Sequence, residues 1–263
     1  MSLRPYPQLT TPWVMRQTWH DLLFMHWPVS IESLRPHIPS GLTIDTFDGQ
    51  AWIAVVPFRM SDIVPRGLFP VPWLSAFPEL NVRTYVVRDG KPGVWFFSLE
   101  AGNSLAVFIA RTVFKLPYFH ARMQCIPSPV NSNLRGRDPL TQVIGGVGVE
   151  GLVYSSQRIH RNAPPANFSG NYSPIAAPFE AQPGSLEHFL TARYCLYTAD
   201  TRGRVYRGEI HHPPWPLQLA QADVAMNSMT DWLHIKLPDV QPLLHFSRKL
   251  EVVVWGLERL LDD

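Results

Sequence analysis

The chain has 263 residues, enough for one substantial core, with a formal net charge of +2 and 17% charged residues. Its lysines and arginines are scattered rather than gathered into a stripe, which excludes a polyanion binder, so no nucleic-acid partner is expected. The 26 prolines and 12% aromatic residues argue for many short elements joined by rigid turns, and so for one β-rich domain spanning residues 1–263.

Taken in order, Trp13 to Trp19 and Leu22 to Trp27 read as two strands broken around His20-Asp21. Ser30 then caps a short helix that runs to Arg35 and is ended by Pro36 and Pro39. Leu42 to Phe47 and Ala51 to Phe58 flank Asp48-Gly49, a pair suited to a type I′ turn, and predict a hairpin in which Pro57 marks an edge or a bulge. Ser61 to Phe77 reads as a loop. Its Leu68, Phe69, Val71, Trp73 and Leu74 suit a lid over a pocket or, if exposed, the contact of a homo-oligomer.

Leu80 to Arg88, Asp89-Gly90-Lys91-Pro92-Gly93 and Val94 to Leu99 predict strand, turn and strand. Ser104 caps the next helix, whose Leu105, Ala106, Val107, Phe108, Ile109, Ala110, Val113 and Phe114 are apolar nearly all round, the pattern of a helix buried on several sides. Val143 to Ile159 reads as a strand bent at Gly145, Gly146, Gly148 and Gly151. Strand continues where a dinucleotide fingerprint would need a helix, and no cofactor is expected.

Asn162 to Gly184 reads as a long Pro-rich connection, and Ser185 caps a helix to Thr191. Arg193 to Thr198 pairs with Arg204 to His211 across Gly203. Pro216 starts a helix with Leu217, Ala220 and Val224 on one face, fraying near Asn227, and Leu243 to Trp255 closes the chain as a strand. The fold class is mainly β (α+β): a curved antiparallel sheet or barrel, with a buried helix and a few peripheral ones.

Cys125 and Cys195 lie outside any CxxC, which fits a reducing compartment. No apolar run is long enough to span a bilayer and MSLRPYPQLT carries no signal core, so a soluble, cytoplasmic protein without a membrane partner is expected. Two charges stand in the apolar central stretch, Glu79 and Arg111. Either Glu79 sits in a solvated strand lead-in and Arg111 forms a structural ion pair with Glu79 or Glu100, or both are pocket residues.

Gly102-Asn103-Ser104-Leu105-Ala106 imitates a nucleophile elbow, but the alternating parallel strands and helices of that fold are missing and Ser104 is accounted for as a cap. His20, His26, His211 and His212 lack ligand spacing, so no metal is expected; His211-His212-Pro213-Pro214-Trp215 either presents an imidazole to a pocket mouth or closes one end of the sheet. Lys115, at the end of the apolar helix, is either a desolvated Schiff-base amine or a lysine whose charge suits the helix C-terminus.

The segments MRQTWHDLLFMHWP, LRPHIPSGL, IDTFDGQAWIAVVPF, ELNVRTYV, GVWFFSLEA, ARTVFKLPYFHARM, RYCLYT and HHPPWPLQ together resemble the YqjF-like family of bacterial proteins, over nearly the whole chain. That family is more distantly similar to acetoacetate decarboxylase, a resemblance that implies a β-cone around a small-molecule pocket. Leu34-Arg35, Pro39, Leu42 and Asp45 match the decarboxylase's early pattern. In that register its substrate-binding arginine falls at His20, its first pocket glutamate near Val56 is lost, and its second is kept as Glu79. Arg111, Pro117 and Ala121 also match, which puts Tyr118 and Phe119 where the decarboxylase carries two adjacent lysines.

Without that amine there is no iminium to accept electrons from a departing carboxylate. Lys115, about one helical turn earlier, substitutes only if it points inward. The expected ligand is a small molecule. Glu79 is the expected acid/base with Tyr118 and His20 as polar partners, and Arg111, Phe97 and Lys115 are expected to bind or wall the ligand. The two readings are an enzyme acting on a small carbonyl or carboxylate compound without a Schiff-base lysine, and a ligand-binding or sensing module.

Overall fold

The computed structural model describes residues 4–69, 75–128 and 151–261. Among them are strands β1 (Met15–Val29), β2 (Thr43–Ile44), β3 (Ala51–Pro65), β4 (Phe77–Arg88), β5 (Lys91–Ala101), β6 (Tyr118–Ser128), β7 (Gly151–Arg158), β8 (Asn167–Pro174), β9 (Cys195–Ala199), β10 (Val205–His211), β11 (Gln218–Asn227) and β12 (Leu243–Arg259). Helices α1 (Ile31–Leu34), α2 (Ser104–Val113) and α3 (Leu186–Thr191) punctuate them. Ser30 and Ser185 cap α1 and α3 as expected, accepting from the Ser33 and His188 amides.

The strands form one sheet in the order β10-β9-β5-β6-β7-β8-β11-β12-β1-β3-β4-β2, with β5 also paired to β4 and β10 to β12. All pairings are antiparallel except β5 with β6 and with β9. The two extra pairings curl the sheet into a partial ring, in which β12, β1, β3, β4, β5, β9 and β10 follow one another around a cavity. The strands β6, β7, β8 and β11 serve the other face. There Tyr154, Phe168, Tyr172 and Phe246 pack with Leu23, Val55 and Val82 into the main core.

The shared strands are therefore buried on both faces, which is why β3 begins as a dense apolar run rather than as half-polar alternation. In β3, Ile53 and Val55 enter the main core while Ala54, Val56 and Phe58 join a second cluster with Trp215 and Leu250. The buried phenols find acceptors: Tyr154 donates to the Glu79 carbonyl at 2.6 Å and Tyr172 to the Asp21 carbonyl at 2.9 Å.

β1 is continuous, but it bulges where a break was expected. Asp21 has φ of 53°, and the pairing with β3 shifts between His20 and Met25. Pro57 lies opposite that shift, where its missing N–H breaks no ladder. The Asp48-Gly49 turn is closed by the Phe47–Gln50 bridge with φ of 50° and 81°, yet β2 pairs with β4 rather than β3. β3 runs on to Pro65, into the expected loop, and Leu68 and Phe69 are exposed. Val71, Trp73 and Leu74 lie outside the described residues, as do Gly145, Gly146 and Gly148.

Two other expectations fail together. Residues 218–227 form strand, not helix, and they pair with β8, which lies inside the expected Pro-rich connection; Ala222 faces Tyr172 across that ladder. β8 is held between β7 and β11, and β11 between β8 and the start of its pairing with β12, so tertiary partners override the helix-forming Gln and Ala residues of β11. The expected burial of α2 also fails. Val107 is its one fully buried residue, whereas Leu105, Phe108, Ile109 and Val113 are exposed, because the helix lies along the cavity edge with only one side covered. Its cap is Asn103, not Ser104: the extended Asn103 accepts from the Leu105 and Ala106 amides at 3.1 and 3.0 Å.

Candidate active site

Along β4 the period of two separates the faces: Leu80 and Val82 enter the core, while Glu79, Asn81 and Arg83 line a cavity of about 570 Å³. Trp19, Leu22, Phe58, Met60, Phe96 and Leu99 make its walls largely apolar, and α2 contributes Ile109 and Val113. No helix among the described residues is long and apolar enough to cross a membrane, and no group of three metal-ligating side chains occurs among them.

Glu79 is 3% exposed and has no cationic partner among the described residues; the Tyr118 hydroxyl donates to its Oε2 at 2.7 Å. Burial pushes the Glu79 carboxyl up to about 8, against the opposing Tyr118 hydrogen bond and with help from the Glu100 charge. Burial, with the Glu79 charge second, likewise raises the Tyr118 phenol well above its ordinary value. At neutral pH the pair is thus a carboxylic acid and a phenol. Such a carboxyl still has a proton to give at neutral pH, and is a stronger base than an ordinary carboxylate once emptied.

The chain reaches this geometry through the end of α2. Phe114 closes the helix, Lys115 takes a left-handed φ of 52°, and Pro117 leads into β6, where Tyr118 aligns with Leu99 of the parallel β5. The left-handed residue turns Lys115 away. Its carbonyl accepts from Thr198 at 2.6 Å and its Nζ lies 5.4 Å from the Tyr206 ring centroid, on a separate outer groove of about 600 Å³. Arg111 and Phe97 line the same groove. Arg111 nevertheless touches the site from behind, donating to the Tyr118 carbonyl at 2.6 Å. It pairs with neither Glu79 nor Glu100, since Glu100 is held by Arg158 through Nε at 3.0 Å and through Nη2.

Two bulges decide the remaining positions. In β5, Val82 faces Ser98 but Arg83 faces Phe96, so Phe97 is the extra residue; it turns into the main core and Phe96 takes the cavity wall. In β1 the bulge at Asp21 lets both Trp19 and Leu22 line the cavity and turns His20 outward, where its Nε2 meets Ser61 Oγ at 2.8 Å. Burial and then the Arg59 charge lower the His20 pKa. The structure therefore unites Glu79 with Tyr118, leaves Arg111 touching only the Tyr118 backbone from outside the cavity, and places His20, Phe97 and Lys115 off the cavity lining. His212 does line the cavity, its nitrogens 2.7 Å from the Pro213 carbonyl and 3.3 Å from that of Arg193, and burial lowers it to about 4. It is a neutral wall residue.

Asn81 and Arg83 were missed. The signal was present in Glu79-Leu80-Asn81-Val82-Arg83, where polar and apolar residues alternate at strand period, and reading one strand face through would have found both. The four lysines, Lys91, Lys115, Lys236 and Lys249, are all described, and none lines the cavity.

The DUF2071 family, described as an uncharacterized conserved protein, matches this sequence over residues 16–251. The chain belongs to that family. It is 45% identical over 247 residues to the uncharacterized protein YqjF of Bacillus subtilis (strain 168), covering 94% of this chain and 93% of that one. Among solved structures, acetoacetate decarboxylase from Legionella pneumophila matches with a TM-score of 0.63 at 10% identity, over 98% of this chain and 92% of that one. The enduracididine biosynthesis enzyme MppR complexed with pyruvate matches with 0.61 at 12% identity, over 97% and 92%. An acetoacetate-decarboxylase-like enzyme from Sphingomonas wittichii RW1 matches with 0.60 at 11% identity, over 95% and 94%. At these identities the likeness is one of fold, and the DUF2071 chain shares the acetoacetate-decarboxylase-like architecture.

Proposed function

We propose that this chain is an enzyme acting on a small carbonyl or carboxylate compound held in the cavity, with Glu79 transferring the proton, Tyr118 orienting it, and no Schiff base. The observation that carries this reading is a carboxyl left without a cation. Other buried carboxylates are paired: Glu100 with Arg158, Asp21 with Arg59 and Arg248, Glu209 with Arg4 and Lys91. Glu79 instead faces an apolar cavity with only a phenol for company, the arrangement that tunes a carboxyl for proton transfer near neutral pH. The pyruvate bound in a neighbour of the same fold supports an oxo compound as the ligand class.

The chemistry follows from the pair. With no amine available, the electron sink is the ligand's own carbonyl, and Glu79 in its carboxylate form takes a proton from the adjacent carbon while Tyr118 supplies a hydrogen bond. The test is solvent-deuterium exchange at that carbon, followed by NMR for pyruvate, acetoacetate and phenylpyruvate. Exchange should rise with pH up to about 8 as Glu79 empties, and then level off. Loss of exchange in Glu79→Gln with retention in Lys115→Met is the expected result; exchange undiminished in Glu79→Gln would remove Glu79 from the chemistry.

The apolar lining supports a second reading, a ligand-binding module without turnover. Binding of the same compounds with no exchange would favour it. Homo-oligomerisation through the exposed Leu68 and Phe69 is an associated proposal, checked by light scattering of Leu68→Ser/Phe69→Ser against the parent chain.

A further inference from the structure

Arg83 is 8% exposed, lines the cavity, and its Nε has no hydrogen-bond partner among the described residues. Among the described residues no carboxylate forms an ion pair with it; its guanidinium carbon instead lies 5.3 Å from the ring centroid of Phe24 and 5.9 Å from that of Tyr85. Neighbouring buried arginines are treated differently: Arg158 holds Glu100, and Arg193, also at the cavity, donates to Asp45 and to the Phe189 carbonyl at 2.6 Å each. A buried cation without a counter-ion is costly, and aromatic faces offset only a small part of that cost. Glu79 does not supply the charge, because it is protonated at neutral pH.

Two residues earlier on the same strand face, Asn81 is 5% exposed and its buried Oδ1 has no partner among the described residues. One orphaned donor and one orphaned acceptor therefore face the same cavity from alternate positions of β4, about 6.7 Å apart at the Cα atoms. We propose that Arg83 and Asn81 form the anchor for the ligand's carboxylate, Arg83 taking the anion and Asn81 an adjacent hydroxyl or N–H. The inference rests on the cavity binding a small molecule and specifies which end goes where. Glu79 and Arg83 stand about 13 Å apart at Cα on the same strand face, so anchor and acid address different parts of the ligand. Its body is apolar, to match Phe58, Met60, Phe96 and Leu99.

Calorimetry at neutral pH with hydrocinnamate, phenyllactate and hydrocinnamamide tests the assignment on the parent chain, Arg83→Gln, Arg83→Lys and Glu79→Gln. Hydrocinnamate should bind at least about tenfold tighter than its amide, and phenyllactate tighter still. Arg83→Gln should erase the preference for the acid, Arg83→Lys should keep part of it, and Glu79→Gln should leave it intact. Arg83→Gln should also melt no lower than the parent when no ligand is present, since it removes an uncompensated charge; if it does not fold, Arg83→Met provides the neutral comparison. Equal affinity of the parent for acid and amide, or a preference that survives neutralisation of Arg83, overturns the anchor while the cavity reading stands. Failure of all three compounds to bind overturns both.

Discussion

The Tyr118 hydroxyl lies 2.7 Å from Glu79 Oε2 and is the side-chain hydrogen bond that this buried carboxyl receives. The two residues come from different strands, 39 positions apart, and meet because β5 pairs both with β4, which carries Glu79, and with β6, which starts at Tyr118. The phenol lowers the carboxyl's pKa while burial raises it, so the pair sets the point at which the cavity becomes charged.

Tyr118→Phe should therefore move Glu79 further upward and cost about 1–2 kcal/mol in stability, because it leaves a buried carboxyl without its donor. The carbonyl band of the protonated acid, followed by infrared difference spectroscopy against pH, reads the shift directly. An unchanged titration midpoint would mean that the hydrogen bond is not formed in solution.

The raised pKa of Glu79 also fixes a sign for stability against pH. The folded chain holds this proton more tightly than the unfolded chain, so the group costs nothing below the unfolded carboxyl value near 4.5 and increasingly more as pH climbs to about 8. Glu79→Gln, a neutral mimic of the protonated acid, should melt progressively higher than the parent across that window, by an amount on the order of a few kcal/mol at its upper end. Parallel melting curves from pH 5 to 9 would contradict the shift.

Glu100 and Arg158 are both essentially inaccessible and paired with each other, with the guanidinium also over the Phe119 ring at 4.1 Å. Arg158→Met should cost roughly 3–5 kcal/mol because it strands a buried carboxylate, and adding Glu100→Gln should recover much of that loss. The double variant should also lower the Glu79 midpoint, since the Glu100 charge is one of the influences that raise it. Chemical denaturation of the three proteins decides the first claim, and the Glu79 titration decides the second.

Gly93 was expected to serve the turn after Asp89-Gly90, but it lies in β5, where β9 crosses close by. An added Cβ would meet Cys195 Sγ at 2.6 Å, the Cys195 carbonyl at 2.7 Å and Tyr197 at 2.8 Å. Two of these contacts are side-chain atoms that can shift, but the carbonyl belongs to a paired strand. Gly93→Ala should destabilise by about 1–3 kcal/mol, whereas Gly90→Ala, in open space at φ of 69°, should suffer only from backbone strain. Denaturant midpoints for both variants test the distinction.

These positions also show which parts of the molecule can be read from residues alone. The hairpins of β4–β5 and β9–β10 and the caps Ser30 and Ser185 are local, carried by turn chemistry and alternation within a few residues. Glu79 stood out for the same reason, as a charge inside an apolar run. The bulges at Asp21 and Phe97 are different: each inserts one residue relative to the paired strand without breaking the local residue pattern, and each reverses which side chains face the cavity beyond it. Hence His20, placed in the pocket by the resemblance to the decarboxylase, and Phe97, expected as its wall, turn away. Strands β8 and β11 depend on each other, and neither half carries a sufficient local signal.

The absence of a cavity lysine yields the sharpest chemical test. In Tyr118→Lys, burial beside Glu79 would place an amine in the cavity, where its nitrogen can attack a ligand carbonyl, expel water and form an imine that borohydride reduces to a stable secondary amine. The parent chain should trap no adduct with acetoacetate, because Lys91 is bound to Glu209 at 2.7 Å, Lys115 stands in the outer groove, Lys249 pairs with Glu251 at 3.2 Å, and Lys236 is exposed. Tyr118→Lys should trap up to one adduct per chain, and peptide mass spectrometry should locate it at position 118. Desolvation lowers the new amine's pKa while an ionised Glu79 raises it, so Tyr118→Lys/Glu79→Gln should react faster near neutral pH than the single variant. An adduct at Lys115 in the parent chain would place that lysine in contact with ligand, and no adduct in a variant that melts like the parent would place residue 118 beyond a ligand's reach.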